Sequence, residues 1–282
     1  MIFDLIESVK DMSVLFIGDA IIDEYHYVEP LGKSAKEPII PMRWKSSETF
    51  AGGVVAAARH AESFCRKVTV CSAGPVTRKV RFVDADLRKL AEIHYGYGES
   101  DGGFTDDHDV TVVTDFGHGA ISRSEAETLS GNSKYLAVNA QTNSANIGFN
   151  LITKYPKADY IVIDEPEARL AAADRDSPIE HVMRKLANGR CNKLVVTHGK
   201  HGAYGWDGTF YHCKAMSEHP IDTMGAGDAF FAVTAPMSKF GGMEELLKIG
   251  NAAGALKTQI VGHRKPVTKQ ELISFLKAHE AR

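Results

Sequence analysis

Short aliphatic runs that stop at a glycine or a polar cluster recur along this chain, and they constrain its fold more than any other feature. Val14-Leu15-Phe16-Ile17 ends at Gly18-Asp19, and the run from Val110 to Thr114 ends at Asp115-Phe116-Gly117-His118-Gly119. Tyr135 to Val138 leads into Asn139-Ala140-Gln141-Thr142-Asn143, Tyr160 to Ile163 into Asp164-Glu165-Pro166-Glu167, and Lys193 to Thr197 into His198-Gly199. Continuous apolar character, without alternation, marks strands buried on both faces. Helical patterns intervene at 54–64, 122–129, 166–173 and 178–187, and others follow at 225–238, 242–258 and 268–280. Strands alternating with helices predict an α/β fold: a doubly wound, mostly parallel sheet with helices on both faces. The carboxyl ends of its strands then share one edge, where such sheets bind ligands. A turn or a helix cap explains any one of these polar clusters, but not their recurrence along a single edge.

One stretch breaks the alternation. Tyr25-His26-Tyr27-Val28 and Ile39-Ile40-Pro41-Met42-Arg43-Trp44 read as two strands joined by a polar loop, Gly32 to Pro38. They predict a small β flap, or lid, inserted at about 24–46 into a single unit spanning residues 1–282. Its apolar residues need cover, from a filled cleft or from a second subunit. Arg78 to Asp84 reads as a strand with Lys79 and Arg81 on one face and Arg78 on the other. Solvation explains these cations, and so does a phosphorylated substrate. Tyr95 to Asp109, rich in Gly and Asp, reads as an exposed loop. Asp207-Gly208 sets a hairpin turn between 202–206 and 209–213.

Composition excludes several roles. The net charge is −3 with acids and bases interspersed, so no basic block points to nucleic acid. Cys65, Cys71, Cys191 and Cys213 are scattered and form no C-x-x-C pair, as expected of reduced thiols in the cytoplasm. No apolar run approaches the roughly 20 residues of a membrane span.

The chemistry concentrates in Asp222-Thr223-Met224-Gly225-Ala226-Gly227-Asp228-Ala229-Phe230-Phe231. Two glycines flanking an alanine allow a tight turn and close approach to a ligand. An apolar helix follows at once, so Gly225 to Gly227 should lie at a helix N-terminus, where free N–H groups and the helix dipole favour an anion. Asp228 in the first turn can accept a proton. An anion hole beside a base is what moving a phosphoryl group onto a hydroxyl requires.

The pattern Asp-Thr-x-Gly-Ala-Gly-Asp-x-Phe resembles the C-terminal signature of the ribokinase-like (PfkB) carbohydrate kinases. Other blocks resemble that family in the same order, most closely the kinase domain of heptose-7-phosphate kinases. They are Gly18-Asp19 through Asp23-Glu24-Tyr25-His26-Tyr27, Ser34-Ala35-Lys36-Glu37-Pro38, Thr77-Arg78-Lys79-Val80-Arg81, Asp115-Phe116-Gly117-His118-Gly119, Asp164-x-x-Glu167, Thr197-x-Gly199-x-x-Gly202 and Asn251-Ala252-Ala253-Gly254. The resemblance implies an ATP-dependent, Mg²⁺-using kinase acting on a sugar or sugar phosphate. It implies Asp228 as base, with Gly225, Ala226 and Gly227 as anion hole. Thr197, Gly199, Gly202, Asp222, Thr223 and Asn251 would line the nucleotide site. Asp19, Asp23, Gly52, Gly53, Arg81 and Asp115 would hold the acceptor, and Glu167 with Asp164 would position Mg²⁺ through water. It also implies a homodimer built through the lid, and heptose kinases of this kind are often joined to a nucleotidyltransferase, which makes one a candidate partner.

The chain departs from that pattern in three places. Ala56 stands where the family usually carries a sugar-contacting Asn, and Asp164 stands where it has Asn. Between Ser72 and Thr77 roughly one helix and strand of close relatives are missing. These departures motivate a second reading, a non-catalytic sugar or nucleotide sensor or partner of another enzyme. A dinucleotide-binding oxidoreductase is disfavoured, since no G-x-G-x-x-G follows the first strand.

Overall fold

The computed structural model describes residues 2–72, 74, 76–96, 107–143, 146–217 and 219–280. Its main sheet has eight strands: β1 (Ser13–Gly18), β4 (Lys67–Ser72), β7 (Val110–Asp115), β8 (Leu136–Ala140), β9 (Ala158–Asp164), β10 (Cys191–Thr197), β11 (Ala203–Trp206) and β12 (Phe210–Cys213). They lie in the order β12-β11-β10-β9-β8-β7-β1-β4, every pairing parallel except those of β11, which runs antiparallel to both β10 and β12. The register pairs Gly18 with Thr114, Asp115 with Ala140, and Asp164 with Thr197. The polar clusters expected at strand ends therefore do converge on one edge.

Helices cover both faces. Helices α1 (Ile2–Ser8), α2 (Gly53–Ala61), α6 (Ala226–Met237), α7 (Met243–Lys257) and α8 (Lys269–Glu280) bury Leu5, Val54, Ala57, Phe231, Leu246 and Leu272 against one face. Helices α3 (Arg123–Asn132), α4 (Glu165–Ala172) and α5 (Ile179–Ala187) bury Leu129, Ala168 and Val182 against the other. The capping box expected of Ser122 and Glu125 forms: Ser122 Oγ accepts from Glu125 N, and Glu125 Oε2 from Ser122 N. Helix α6 is apolar almost all round, because it lies between the sheet and α7 with Ala229 to Met237 all buried.

The lid is larger than a hairpin at 24–46. Strands β2 (Ala20–Pro30), β3 (Met42–Gly52), β5 (Thr77–Val83) and β6 (Lys89–Tyr95) form a second sheet in the order β3-β2-β5-β6. β2 leaves β1 after a single residue, Asp19. Ile39, Ile40 and Pro41 lie outside the strands; Pro38 and Pro41 lack the N–H that a ladder needs. β5 pairs in parallel with β2, so the lid is stitched from two separated segments. β6 ends at Tyr95 and Gly96 turns away with φ +79°; most of the loop expected after Tyr95 lies outside the described residues.

Candidate active site

The signature stands where its sequence placed it. Gly225, with φ +73°, caps α6, and the first helical acceptor, Gly225 O, takes the N–H of Ala229. The N–H groups of Gly227 and Asp228 precede that bond and so have no partner in the helical ladder. Gly225 is favoured by its φ, and a Cβ there would crowd His263 Cε1 at 3.2 Å and Lys257 Cε at 3.3 Å. Asp228 is half-buried in the floor of the cleft. Gln141, at the end of β8, donates from Nε2 to Asp228 Oδ1 at 2.6 Å and to Asn139 Oδ1 at 2.8 Å. Burial raises the Asp228 carboxyl, Asp23 adds to the rise, and His263, Gln141 and Lys257 oppose it. A carboxylate so placed is a better proton acceptor than one in water.

The inner face of the lid closes the other side. Asp23 pairs in register with Lys79, and Tyr25 with Arg81, so all four side chains share a face. Asp23 is 3% exposed, ion-paired to Arg81 Nη1 and 3.3 Å from His263 Nε2. Burial pushes its carboxyl up, but His263 and Arg81 outweigh that and hold it at about 2. Arg81 also pairs with Glu92 at 2.6 Å. Gly52 makes room for this cluster, since a Cβ there would meet Asp23 Oδ2 at 2.0 Å. At Gly53 (φ +59°) a Cβ would meet Asp19 O at 2.2 Å. Lys79 is 8% exposed and makes no hydrogen bond or ion pair with the described residues. Burial lowers its pKa, Arg81 lowers it further, and Asp23, Glu92 and Asp19 counteract. His118, also beside Lys79, is driven down to about 4 by burial and by the cations near it.

Several expected ligands turn out to hold the protein together. Asp19 accepts from Phe116 N at 2.7 Å and Ala120 N at 2.9 Å, so its carboxylate fixes the 115–120 loop instead of facing the cleft. Asp115, 1% exposed, accepts from Tyr155 Oη, Gly117 N and Asn150 Nδ2 and pairs with Lys154. Asp222 accepts from Met224 N, Gly262 N and Tyr25 Oη, tying the signature loop to β2 and to the 260–263 turn. Asn251 donates both amide hydrogens to Cys213 O and Lys214 O, which builds the wall after β12. Thr197, Gly199 and Gly202 do form a tight turn at the end of β10. There Gly202 (φ +90°) is compelled, since a Cβ would strike Cys213 O at 2.0 Å. Thr223 is exposed beside the anion hole.

Asp164 and Glu167 form a capping box on α4: Asp164 Oδ1 accepts from Glu167 N at 2.8 Å and Glu167 Oε2 from Asp164 N at 2.9 Å. Glu167 Oε1 accepts from Thr142 N at 2.9 Å. Both Glu167 oxygens are thus engaged, whereas Asp164 is exposed with Oδ2 free of described partners. Burial and the adjacent Asp164 charge, with Asp228 behind them, push Glu167 up to about 8. Such an accumulation of uncompensated negative charge fits a divalent cation held through water. No cluster of three or more His, Cys, Asp or Glu side chains that could hold a metal ion occurs among the described residues.

Sequence reasoning missed Gln141, His263 and Lys257 as individuals. Gln141 lay in a polar run already assigned to the sheet edge. Lys257 ends α7 and His263 lies in the turn after it, with no local motif to mark them.

The chain matches the pfkB family carbohydrate kinase model over residues 127–270, just over half its length. None of the curated proteins matches it in sequence. Among solved structures it resembles the Arabidopsis thaliana ribokinase complexed with ribose and ATP, with TM-score 0.69, 17% identity, and 95% of this chain and 99% of that one covered. It also resembles the Escherichia coli phosphofructokinase-2 in complex with potassium (0.71, 14%, 96% and 100%). A third is the Methanocaldococcus jannaschii nucleoside kinase (0.67, 12%, 96% and 100%). These likenesses establish a ribokinase-like fold.

Proposed function

The chain belongs to the pfkB family of carbohydrate kinases, and from that premise we propose that it transfers the γ-phosphoryl group of ATP to a hydroxyl of a sugar phosphate. The observation that carries this reading is Asp228, held by Gln141 at 2.6 Å in the first turn of α6, next to free amides. The acceptor hydroxyl gives its proton to Asp228 as its oxygen attacks phosphorus, and the Gly225–Gly227 turn receives the transferring group. Loss of one such amide donor typically costs about 3–4 kcal/mol of transition-state stabilisation. Asp164 and Glu167 would hold Mg²⁺ through water; when bound, the ion neutralises charge on the phosphates. The turn at Thr197, Gly199 and Gly202, with Thr223, would form the nucleotide side.

Lys79 favours a sugar phosphate over a neutral sugar. A buried lysine without a partner among the described residues is costly, and an anionic group on the acceptor would compensate it. Asp23 and Arg81 lie beside it to bind hydroxyls and share that charge. A heptose phosphate satisfies this chemistry. Ile22, Phe82, Ile93 and Tyr95 share the outer face of the lid, and Ile22, Ile93 and Tyr95 are more than one-third exposed, which supports a homodimer through the lid.

ADP release across a panel of sugars and sugar phosphates tests the reading, with Asp228→Asn as control. Turnover confined to phosphorylated acceptors and lost in the variant is expected. Nucleotide binding by calorimetry without turnover on any acceptor supports the non-catalytic alternative, which Ala56 motivates.

A further inference from the structure

Lys257 ends α7 and is 0% exposed. Lysines are almost never buried so completely unless paired, yet no carboxylate lies within ion-pair distance among the described residues. Its Nζ donates instead to three backbone carbonyls: Met224 O at 2.7 Å, Gly262 O at 2.8 Å and Ile260 O at 3.2 Å. Three acceptors need three N–H donors, which only the ammonium form has.

The carbonyls belong to two loops that meet at the anion hole. Met224 immediately precedes Gly225. Gly262 immediately precedes His263, whose ring approaches both Gly225 and Asp23. Asp222 joins the same loops through Met224 N and Gly262 N, so a mechanical link exists without Lys257. What Lys257 adds is a fixed positive charge behind the amides that face the transferring group. Preorganised charge in a water-poor site stabilises developing negative charge more than charge in water does.

We infer that Lys257 is a positioning residue for phosphoryl transfer, an internal monovalent cation that holds the Met224 carbonyl against the 260–262 turn and so sets the Gly225–Gly227 amides. The inference rests on reading that turn as the phosphoryl site. Converging carbonyl oxygens are what a free monovalent cation would need, so the lysine makes such an ion unnecessary.

Two variants test it. Lys257→Met keeps the length and removes the charge; kcat should fall roughly 10²-fold, as for a small misplacement of reacting groups. The KM for ATP should stay within about threefold. Lys257→Ala leaves a space faced by the same three carbonyls. In potassium, ammonium or methylammonium chloride its Tm should rise by roughly 2–4 °C and its activity should partly recover. Tetramethylammonium, too bulky for the space, should do neither, and the parent enzyme should respond to none of these salts. A Met variant with parental kcat, an Ala variant indifferent to every cation, or failure of both variants to fold in any salt would reduce Lys257 to a structural spacer. The melting experiment needs no acceptor. An Ala variant that responds to cations while the parent turns over no acceptor supports the cation site and counts against the kinase reading alone.

Discussion

At the scale of single residues, two carboxyls near each other, Asp228 and Glu167, are both raised by burial, and each gives its own pH signature. The proposed base Asp228 would work ionised, and burial raises its pKa, so kcat/KM should fall as pH falls, on a limb lying above that of an ordinary aspartate. Asp228→Asn should lower kcat by about 10²–10⁴ and abolish the limb; a rate profile unchanged in the variant would remove Asp228 from the chemistry. Glu167 should report through stability. Its folded pKa of about 8 exceeds the ordinary value of 4.5, so the folded state prefers it protonated. That contribution is complete below the unfolded pKa and is lost as pH rises through about 8. Metal-free protein should therefore lose Tm from acid to alkaline pH, and Mg²⁺ should raise Tm more on the alkaline side, where the carboxylate is ionised. Glu167→Gln should flatten both trends in a calorimetric melting series; identical slopes in variant and parent would exclude Glu167 as their source. The sequence made Asp228 legible because its role follows from local spacing, glycines then a helix. It did not distinguish Asp23 from Asp19 and Asp115. In the sequence all three lie at or just beyond the end of an apolar run, and only tertiary partners reveal that Asp19 and Asp115 hold loops while Asp23, inside β2, meets Arg81 and His263.

At the scale of elements, the parallel strands and their helices were readable because continuous apolar runs and 3.6-residue periods are local signals. The lid was less so. The strand expected at 25–28 runs over Ala20–Pro30, the one expected at 39–44 is displaced to Met42–Gly52, and β6 was not expected at all. Edge strands with mixed exposure carry no clear period, and the β2–β5 pairing joins residues 56 positions apart along the chain. The same asymmetry explains Asp164-x-x-Glu167. Its spacing is equally that of a capping box and of a metal pair, and the structure forms the box. The junction of β3 with α2 offers the sharpest element-level test. Gly52→Ala places a methyl group 2.0 Å from Asp23 Oδ2, so Asp23 must move and Arg81 and His263 lose their common partner. The acceptor KM should rise at least about tenfold while the KM for ATP, bound at the other end of the cleft, changes little. An equal loss for both substrates would mean that the lid and the main sheet are disturbed together.

At the scale of the whole molecule, the two sheets have opposite needs. The main sheet is covered on both faces by helices, whereas the lid has a polar inner face over the cleft and an outer face bearing Ile22, Ile93 and Tyr95. Those residues are 38%, 42% and 48% exposed. The lid meets the C-terminal loop at its surface through Arg264 and Glu48 at 2.7 Å, both more than one-third exposed, and in its interior through Asp23 and His263 at 3.3 Å. The exposed pair contributes only about 0–1 kcal/mol, so the buried contact carries more of this anchoring. A second copy of the chain, packing its own lid outer face on this one, would bury those apolar side chains and stiffen both lids at once. Isologous pairing of this kind closes as a two-fold dimer. Ile93→Asp lies on the outer face, opposite Val80, and touches none of the inner-face residues Asp23, Lys79 or Arg81. Sedimentation velocity should therefore show the parent as a dimer and Ile93→Asp as a monomer, with the acceptor KM raised because the isolated lid closes less often. A parent that sediments as a monomer at all concentrations would leave the outer face without this role. A monomeric variant with unchanged KM would separate assembly from lid closure.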